Sequence, residues 1–428
     1  MKIEPVLISG DEHGNVLLLP VPLMSGPNLF AVSPQMRVPD AIEVPDDQVS
    51  PYYFAQRQPR GDATSVLLIL NDKCNYACSY CFELESSRSD ASLNELDAIA
   101  AVERAFSNAA RLGKDDVNIS FFGGEPTLSL DTLKLVVAHA NASSKNTGIQ
   151  PKFGLTTNGS FGPKVLDYII ATFDNVILSL DGPEGIHDKN RRTVGGKATH
   201  GHVFANAQRL FSHFGAACLT FRATIDSDEV TSELAAVVDF YEANFPGAYV
   251  HIEPALNLGD GDEIVGKYDA FAKAYIETLE KIVTIRVQHS DLFFKFKADL
   301  TELDFCGSSS SNFYVTPSGA ITSCSRSIRE HDSNSGVFFA GRIQDGSFVS
   351  NPVAENLLKR NTVGMAVHCR TCFARFNCKS GCPSLNLALA HTQGARGEIC
   401  KSVKWLTQQY LLHLLRHGEK RQRIGDIH

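Results

Sequence analysis

The amino-acid sequence predicts an α/β protein, with β/α units around a parallel sheet and a small cysteine-rich domain behind them. Three observations carry that prediction. Short apolar runs alternate with amphipathic segments from residue 65 to about 255, the pattern of strands joined by crossover helices. The cysteines are grouped, three within residues 74 to 81 and seven within residues 306 to 400. The first 62 residues hold nine of the 18 prolines, a density that excludes long helices and central strands.

In chain order, residues 1–62 are expected to form a short, strand-poor extension or cap, with strands at Val16 to Leu19 and Leu29 to Val32. Residues 63–256 form the core. Its strands are expected at Ser65 to Leu70, Val117 to Phe122, Phe153 to Thr157, Val176 to Leu180, Leu219 to Ile225 and Tyr249 to Glu253. Helical patterns lie between them, near Leu93 to Arg111, Leu128 to Asn141, Lys164 to Phe173, His202 to Phe214 and Glu233 to Asn244. Residues 257–305 read as a helical bridge, Tyr268 to Arg286 and then Leu292 to Leu300. Residues 306–402 form the cysteine-rich domain, in which Tyr314 to Ile321 reads as a hairpin turning at Ser318-Gly319. Residues 403–428 are a helix and tail, with Trp405 and Tyr410 expected in the core and His413 and His417 on the surface.

Composition narrows the class of function. The chain is 43% apolar and 21% charged, as in an ordinary soluble globular protein, and its net charge of −8 gives no basic face for nucleic acid. No apolar run approaches the ~18 residues of a membrane span. The amino terminus lacks a basic segment followed by a signal-like apolar core, so the cytoplasm is the expected location. Eleven cysteines in such a chain point to metal or cluster ligation rather than to disulfides. Cys218 stands alone in the apolar stretch Ala216 to Phe221 and reads as packing.

Cys74, Cys78 and Cys81, spaced C-x3-C-x2-C, directly follow the first strand. That places three thiolates on one short loop at a strand's carboxyl end, a site for an iron–sulfur cluster. A [4Fe–4S] cube takes cysteine thiolates, so three ligands leave one iron open to a cofactor or substrate. Zinc is the competing reading, but zinc sites favour paired C-x2-C units or a histidine partner. With Tyr80 before the last cysteine, the triplet resembles the motif of the radical S-adenosylmethionine (SAM) enzymes. The resemblance implies a partial (β/α)6, TIM-like barrel with its site at the carboxyl ends of the strands. It also implies that SAM binds the open iron and yields a 5′-deoxyadenosyl radical.

Gly123-Gly124-Glu125-Pro126 closes the second strand and looks like that family's GGEP motif, which holds the methionine ammonium group. Further SAM contacts implied by position are Asn158 after strand three, Ser179 and Asp181 after strand four, Arg192 in the following loop with Arg191 beside it, and Arg222 on strand five. An arginine in an apolar strand needs an anionic partner; SAM is the expected one, and a structural Glu or Asp the other. Asp181, Glu253 and Asp304 are candidates for a general base.

The second constellation is Cys306, Cys324, Cys369, Cys372, Cys378, Cys382 and Cys400, with Gly319 between the first two. It matches the SPASM module, a carboxyl-terminal extension of radical SAM enzymes that holds auxiliary [4Fe–4S] clusters. The family's connectivity gives Cys369, Cys372, Cys378 and Cys400 to an outer cluster, and Cys306, Cys324 and Cys382 to an inner one. With the SAM cluster this makes three. Residues 307 to 322 supply no further cysteine, so the inner cluster is expected to keep an open iron or to be closed by a non-cysteine residue. In sulfatase-maturing relatives an aspartate base follows the second cysteine of the module; Ser325 stands there, which argues against that reaction.

The resemblance implies maturation of a ribosomally made precursor peptide, with an oxidative carbon–carbon or thioether crosslink as the leading outcome. It also implies an external electron donor such as flavodoxin or ferredoxin, and a separate leader-binding protein, because the first 62 residues show no winged helix. Other readings are oxidation of a small molecule or sugar, epimerisation with Cys218 as hydrogen donor, and, outside enzymology, an electron-transfer iron–sulfur protein.

Overall fold

The computed structural model describes residues 59–81, 90–226, 228–256, 260–289, 305–330, 332, 335–344, 347–360, 369 and 372–416, with the backbone of five short strands before residue 59. Those strands are β1 (Lys2–Ile3), β2 (Val6–Ile8), β3 (Asn15–Leu18), β4 (Leu29–Val32) and β5 (Ile42–Glu43). β2, β3 and β4 form an antiparallel sheet and β1 pairs with β5. The segment thus holds more strand than its composition predicts. The physical reason is that Pro20, Pro22 and Pro27 fall between β3 and β4, and Pro34 and Pro39 between β4 and β5, where no ladder donor is lost.

The barrel strands are β6 (Ser65–Ile69), β7 (Asp116–Phe122), β8 (Gln150–Thr157), β9 (Asn175–Ser179), β10 (Leu219–Ile225) and β11 (Tyr249–Pro254). Each pairs in parallel with the next. Six expected strands are therefore six observed strands. A seventh, β12 (Arg286–His289), pairs in parallel with β11 where a helical bridge is expected. Four residues are too short for a periodicity to show.

Helices α1 (Glu95–Leu112), α2 (Leu130–Thr147), α3 (Pro163–Thr172), α5 (His200–Cys218), α6 (Val230–Asn244) and α7 (Gly261–Thr278) cross over between strands or follow the last of them, and the short α4 (Glu184–Asn190) follows β9. Local chemistry sets their ends. Asn94 caps α1 by accepting from Leu96 N at 2.8 Å, and Gly113 ends it in a left-handed conformation. One continuous apolar core joins sheet and helices, including a ring cluster in which Phe221 and Phe245 lie 4.6 Å apart. Cys218, at the amino end of β10, sits at the opposite end of that strand from the barrel mouth.

The cysteine-rich region extends the same sheet from its other edge. β13 (Tyr314–Val315) pairs in parallel with β6, and β14 (Ala320–Thr322), β15 (Phe339–Gln344) and β16 (Ser347–Ser350) continue antiparallel. The expected hairpin is the β13–β14 turn. Helices α8 (Ser335–Phe338), α9 (Pro352–Lys359), α10 (Arg375–Cys378), α11 (Pro383–Leu389) and α12 (Ala395–Arg416) complete the chain. Tyr410 is buried and Trp405 packs against the core as expected. His413 is partly buried rather than fully on the surface: its side chain is 13% exposed and lies 3.5 Å from Glu280. His417 and Asp304 fall outside the described residues. Among those described, no helix is long and apolar enough to cross a membrane.

Arg60, ahead of β6, fastens the two regions together. Its guanidinium is buried, donates to the carbonyls of Ser308 (2.7 Å) and Asn312, and pairs with Glu355 of α9 at 2.8 Å. Truncating one member of a buried pair strands the other's charge, at about 3–5 kcal/mol. Arg60→Ala is expected to lower the unfolding free energy by about 3 kcal/mol in denaturant melts; a loss under ~1 kcal/mol would mean that the pair is solvent-screened.

Candidate functional site

The loop after β6 carries Cys74, Cys78 and Cys81, and neighbouring segments hold it on both sides. On one side Gly124 N donates to Asn71 O (2.9 Å) and Glu125 N to Lys73 O (2.7 Å). On the other, Ala77 N donates to Arg192 O (2.8 Å) and Ser79 N to Asn190 O (3.1 Å). The glycines are dictated by this approach. A Cβ on Gly124 would lie 2.1 Å from Lys73 O, and one on Gly123, at φ +146°, would lie 2.6 Å from Asn71 O.

A cavity of about 360 Å³ opens at the carboxyl ends of the barrel strands. Its wall carries the three loop cysteines, Gly123 to Glu125, Asn158, Ser179, Arg222 and Glu253. It also carries Cys306, Cys324 and Cys382 from the second region, with Tyr314, Ser325 and Arg326 beside them. Two cysteine triplets about 230 residues apart in sequence therefore face one space at the barrel mouth. Cys324 is pushed well above an ordinary thiol pKa by burial and then by the nearness of Cys382 and Cys306.

Cys369, Cys372, Cys378 and Cys400 make a separate group. Burial raises Cys378 to about 12, with Arg396 opposing and the other three cysteines adding to the rise. Among the described residues, no three His, Cys, Asp or Glu side chains close on a single metal ion. A cube takes one thiolate at each of its irons, so it suits sulfurs spread over a loop. The thiols must lose their protons on ligation. Cys74 already receives Asn158 Nδ2 at 3.6 Å and Tyr76 N at 3.5 Å, N–H contacts of the kind that stabilise a thiolate.

Several expected contacts have other partners. Glu125 is fully buried, and its Oε1 accepts from Thr127 N, Thr127 Oγ1 and Thr157 Oγ1, its Oε2 from Asn158 N. Burial raises its pKa against these four donors. The carboxylate therefore joins the ends of β7 and β8, and the backbone of the Gly-Gly-Glu turn faces the cavity. Pro126 opens the 3-10 turn that follows.

Asp181 is not on the cavity wall. It is fully buried, pairs with Arg191 Nε at 2.8 Å, and accepts from Tyr80 Oη and from Thr224 N. Three donors occupy a carboxylate sought as a base or SAM contact. Arg192 is exposed and donates to Gly196 O, outside the cavity; its neighbour Arg191 lines it, stacked over Tyr80. The pair Arg-Arg gives no sequence signal for which residue turns inward. Arg222 finds a protein partner, Glu253 on the adjacent strand, at 2.5 Å. That interaction answers the anionic partner expected for Arg222 and engages Glu253, the candidate base. Cys218, at the far end of β10, does not line the cavity. Arg326 and Tyr314, which sequence reasoning did not select, do; being two residues after Cys324 was the available signal for the first.

His187 braces this wall from behind. It is fully buried, its Nδ1 accepts from Asp181 N and its Nε2 lies 3.1 Å from Thr199 Oγ1.

Residues 68–240 match the Radical SAM superfamily model. A radical SAM cyclopropyl synthase, TigE of Paramaledivibacter caminithermalis, is 27% identical over 135 residues, which cover 29% of this chain. The match spans 28% of that enzyme's length. Among solved structures, anSMEcpe with bound AdoMet and Kp18Cys peptide superposes with TM-score 0.60 at 17% identity, covering 82% of this chain and 99% of that one. A weaker likeness, TM-score 0.48 at 13% identity, over 90% of this chain and 96% of the other, is to Streptococcus suis SuiB bound to precursor peptide SuiA. The matched residues run through the barrel, in agreement with the radical SAM resemblance read from the sequence.

Two outcomes follow from the geometry. Gly124→Ala is expected to unseat the cysteine loop, so that the purified, reconstituted protein lacks the iron of one cluster; full iron content would show that the loop tolerates the displacement. Burial lowers the pKa of His187 to about 4 from an ordinary 6.5. The fold favours neutral His187, so its contribution is complete above pH 6.5 and falls away as the pH drops towards 4. Going from pH 7 to pH 5 is expected to cost about 2 kcal/mol through this group. His187→Gln should lack that loss; parallel pH profiles for the two proteins in denaturant melts would contradict it.

Proposed function

We propose that the protein is a radical SAM/SPASM maturase that acts on a ribosomally made peptide and closes an oxidative carbon–carbon or thioether bond in it. The observation that carries this reading is the shared cavity, with Cys74, Cys78 and Cys81 on one wall and Cys306, Cys324 and Cys382 on another. In this reading the first triplet holds the SAM-binding [4Fe–4S] cluster and the second an inner auxiliary cluster. Cys369, Cys372, Cys378 and Cys400 hold the outer one. Residues 63–256 are then the radical SAM core, 257–305 the bridge and 306–402 the SPASM domain, with 1–62 as extension and 403–428 as terminal helix and tail. When bound, these groups supply a 5′-deoxyadenosyl radical that takes a hydrogen atom, and an electron acceptor beside the resulting substrate radical.

The chain's own residues bind and orient. The backbone of Gly123 to Glu125 and the side chain of Asn158 frame the space next to Cys74. The Arg191–Asp181–Tyr80 triad fixes the wall behind Cys78 and Cys81, and Arg222 with Glu253 offers a paired charge at the mouth. Closing the new bond releases a second hydrogen as a proton and an electron. Glu253, a carboxylate of the cavity wall, is the candidate for the proton.

The anSMEcpe structure, with AdoMet and a peptide bound to the same fold, supports a barrel mouth that admits both. The likeness to a cyclopropyl synthase supports carbon–carbon closure. Ser325 on the cavity wall, where sulfatase-maturing relatives place an aspartate, favours chemistry other than theirs. An external donor such as flavodoxin or ferredoxin and a separate leader-binding protein complete the proposal, which places the enzyme in the cytoplasm.

Reduced, reconstituted enzyme incubated with SAM and each short peptide encoded beside its gene is expected to give 5′-deoxyadenosine and a peptide lighter by two hydrogens. Fragmentation in the mass spectrometer would locate the bond. 5′-Deoxyadenosine with every peptide unchanged would overturn the crosslinking reading and favour epimerisation or a small-molecule substrate.

A further inference from the structure

The turn between Cys378 and Cys382 holds an unusual backbone. Lys379 and Ser380 adopt left-handed φ of 47° and 69°, followed by Gly381 at 73°. Consecutive non-glycine residues in that region are strained, and such strain persists where surrounding contacts over-determine it. The contacts here converge on one residue. Ser380 O accepts from Arg396 Nη2 at 2.5 Å and from Asn386 Nδ2 at 2.8 Å, while the Ser380 hydroxyl hydrogen-bonds the thiol of Cys369.

Arg396 lies in the first turn of α12, four residues before Cys400 and so on the same helix face. Its guanidinium thus touches the segment between Cys378 and Cys382, reaches Cys369 through Ser380, and shares a helix face with Cys400. The other terminal nitrogen, Nη1, is buried and has no hydrogen-bond partner among the described residues. A buried guanidinium N–H left without an acceptor is costly. Cys369 and Cys378 are the thiols within reach of its charge. The acceptor that fits is an anionic sulfur group held by these cysteines, which rests on the outer-cluster reading above.

We propose that Arg396 is the tuning residue of the outer cysteine site: it clamps the left-handed turn through Ser380 and directs its unpartnered Nη1 at the cluster, raising that cluster's reduction potential. Net charge and hydrogen bonds to sulfur are among the levers that set such potentials. A fixed positive charge stabilises the form carrying the extra electron. The outer site thereby becomes a better electron acceptor than its burial and four thiolates alone would make it, suited to draw an electron outward from the cavity.

The test uses the full chain, reconstituted without oxygen, in three forms: parent, Arg396→Gln and Arg396→Lys. Iron per chain is measured, and EPR-monitored redox titration gives each cluster's midpoint; the outer signal is the one missing in Cys369→Ala. Arg396→Gln is expected to keep the parent's iron and to lower the outer midpoint by about tenfold in reduction equilibrium, ~59 mV for one electron. Arg396→Lys, which keeps the charge but not the planar fork, should lie between. An unchanged outer midpoint in Arg396→Gln with its iron intact would overturn the tuning role. Loss of that cluster's iron from both variants would overturn it too, leaving Arg396 a structural clamp. A parent protein with iron for the first cluster alone would instead overturn the outer-cluster reading, a result separable from both.

Discussion

The interaction on which the rest depends is the two-sided strapping of the cysteine loop by backbone hydrogen bonds. A loop that carries three cysteines on a cavity wall cannot supply its own rigidity, because its backbone polar groups need partners. The Gly123-Gly124 turn provides them on one side and the 190–192 segment on the other. Each strap makes a demand elsewhere. The first requires side-chain-free backbone at the end of β7, which two glycines meet. The second requires the chain after β9 to be held down, which Asp181 achieves by gathering Arg191, Tyr80 and the backbone of Thr224. A buried ion pair of this kind is weak evidence for stability. Its effect here is positional: it holds the wall behind Cys78 and Cys81.

The second region is attached to the same loop rather than tethered beside it. Arg329, five residues after Cys324, pairs with Asp72, two residues before Cys74, at 3.2 Å, and both side chains are buried. Arg60 holds the segment that follows Cys306. β13 adds directly to β6, the strand that delivers the first triplet. Any displacement of the second triplet is therefore resisted by the first strand of the barrel. This continuity of sheet and ion pair explains why residues so distant in sequence line one cavity.

Much of this was legible in the sequence. The six barrel strands and their crossover helices were, because strand period, helix period and turn residues agree over long segments. The loop triplet was, because the spacing of Cys74, Cys78 and Cys81 keeps three thiols on one short segment. What stayed hidden is what only three-dimensional neighbours decide. Arg191 and Arg192 are adjacent, and nothing local says which turns inward; the structure turns Arg191 towards Asp181. Arg222 reads as waiting for an anion, and the anion is Glu253 on the next strand, 31 residues away. Glu125 reads as a ligand-binding carboxylate, yet four donors from Thr127, Thr157 and Asn158 surround it. Arg396 carries no motif at all, and its importance lies in one buried nitrogen beside a turn that strains to hold its shape.

The central claim is that Cys74, Cys78 and Cys81 hold a cluster with one iron open to SAM, within a cavity shared with a second set of thiolates. The most direct measurement is the EPR spectrum of the reduced, reconstituted protein before and after SAM is added. The account predicts that SAM alters the signal of one cluster, and that this response is lost when the three cysteines are replaced by alanine while the auxiliary signals remain. A spectrum indifferent to SAM in the parent protein, or a response that survives in the triple variant, would contradict it.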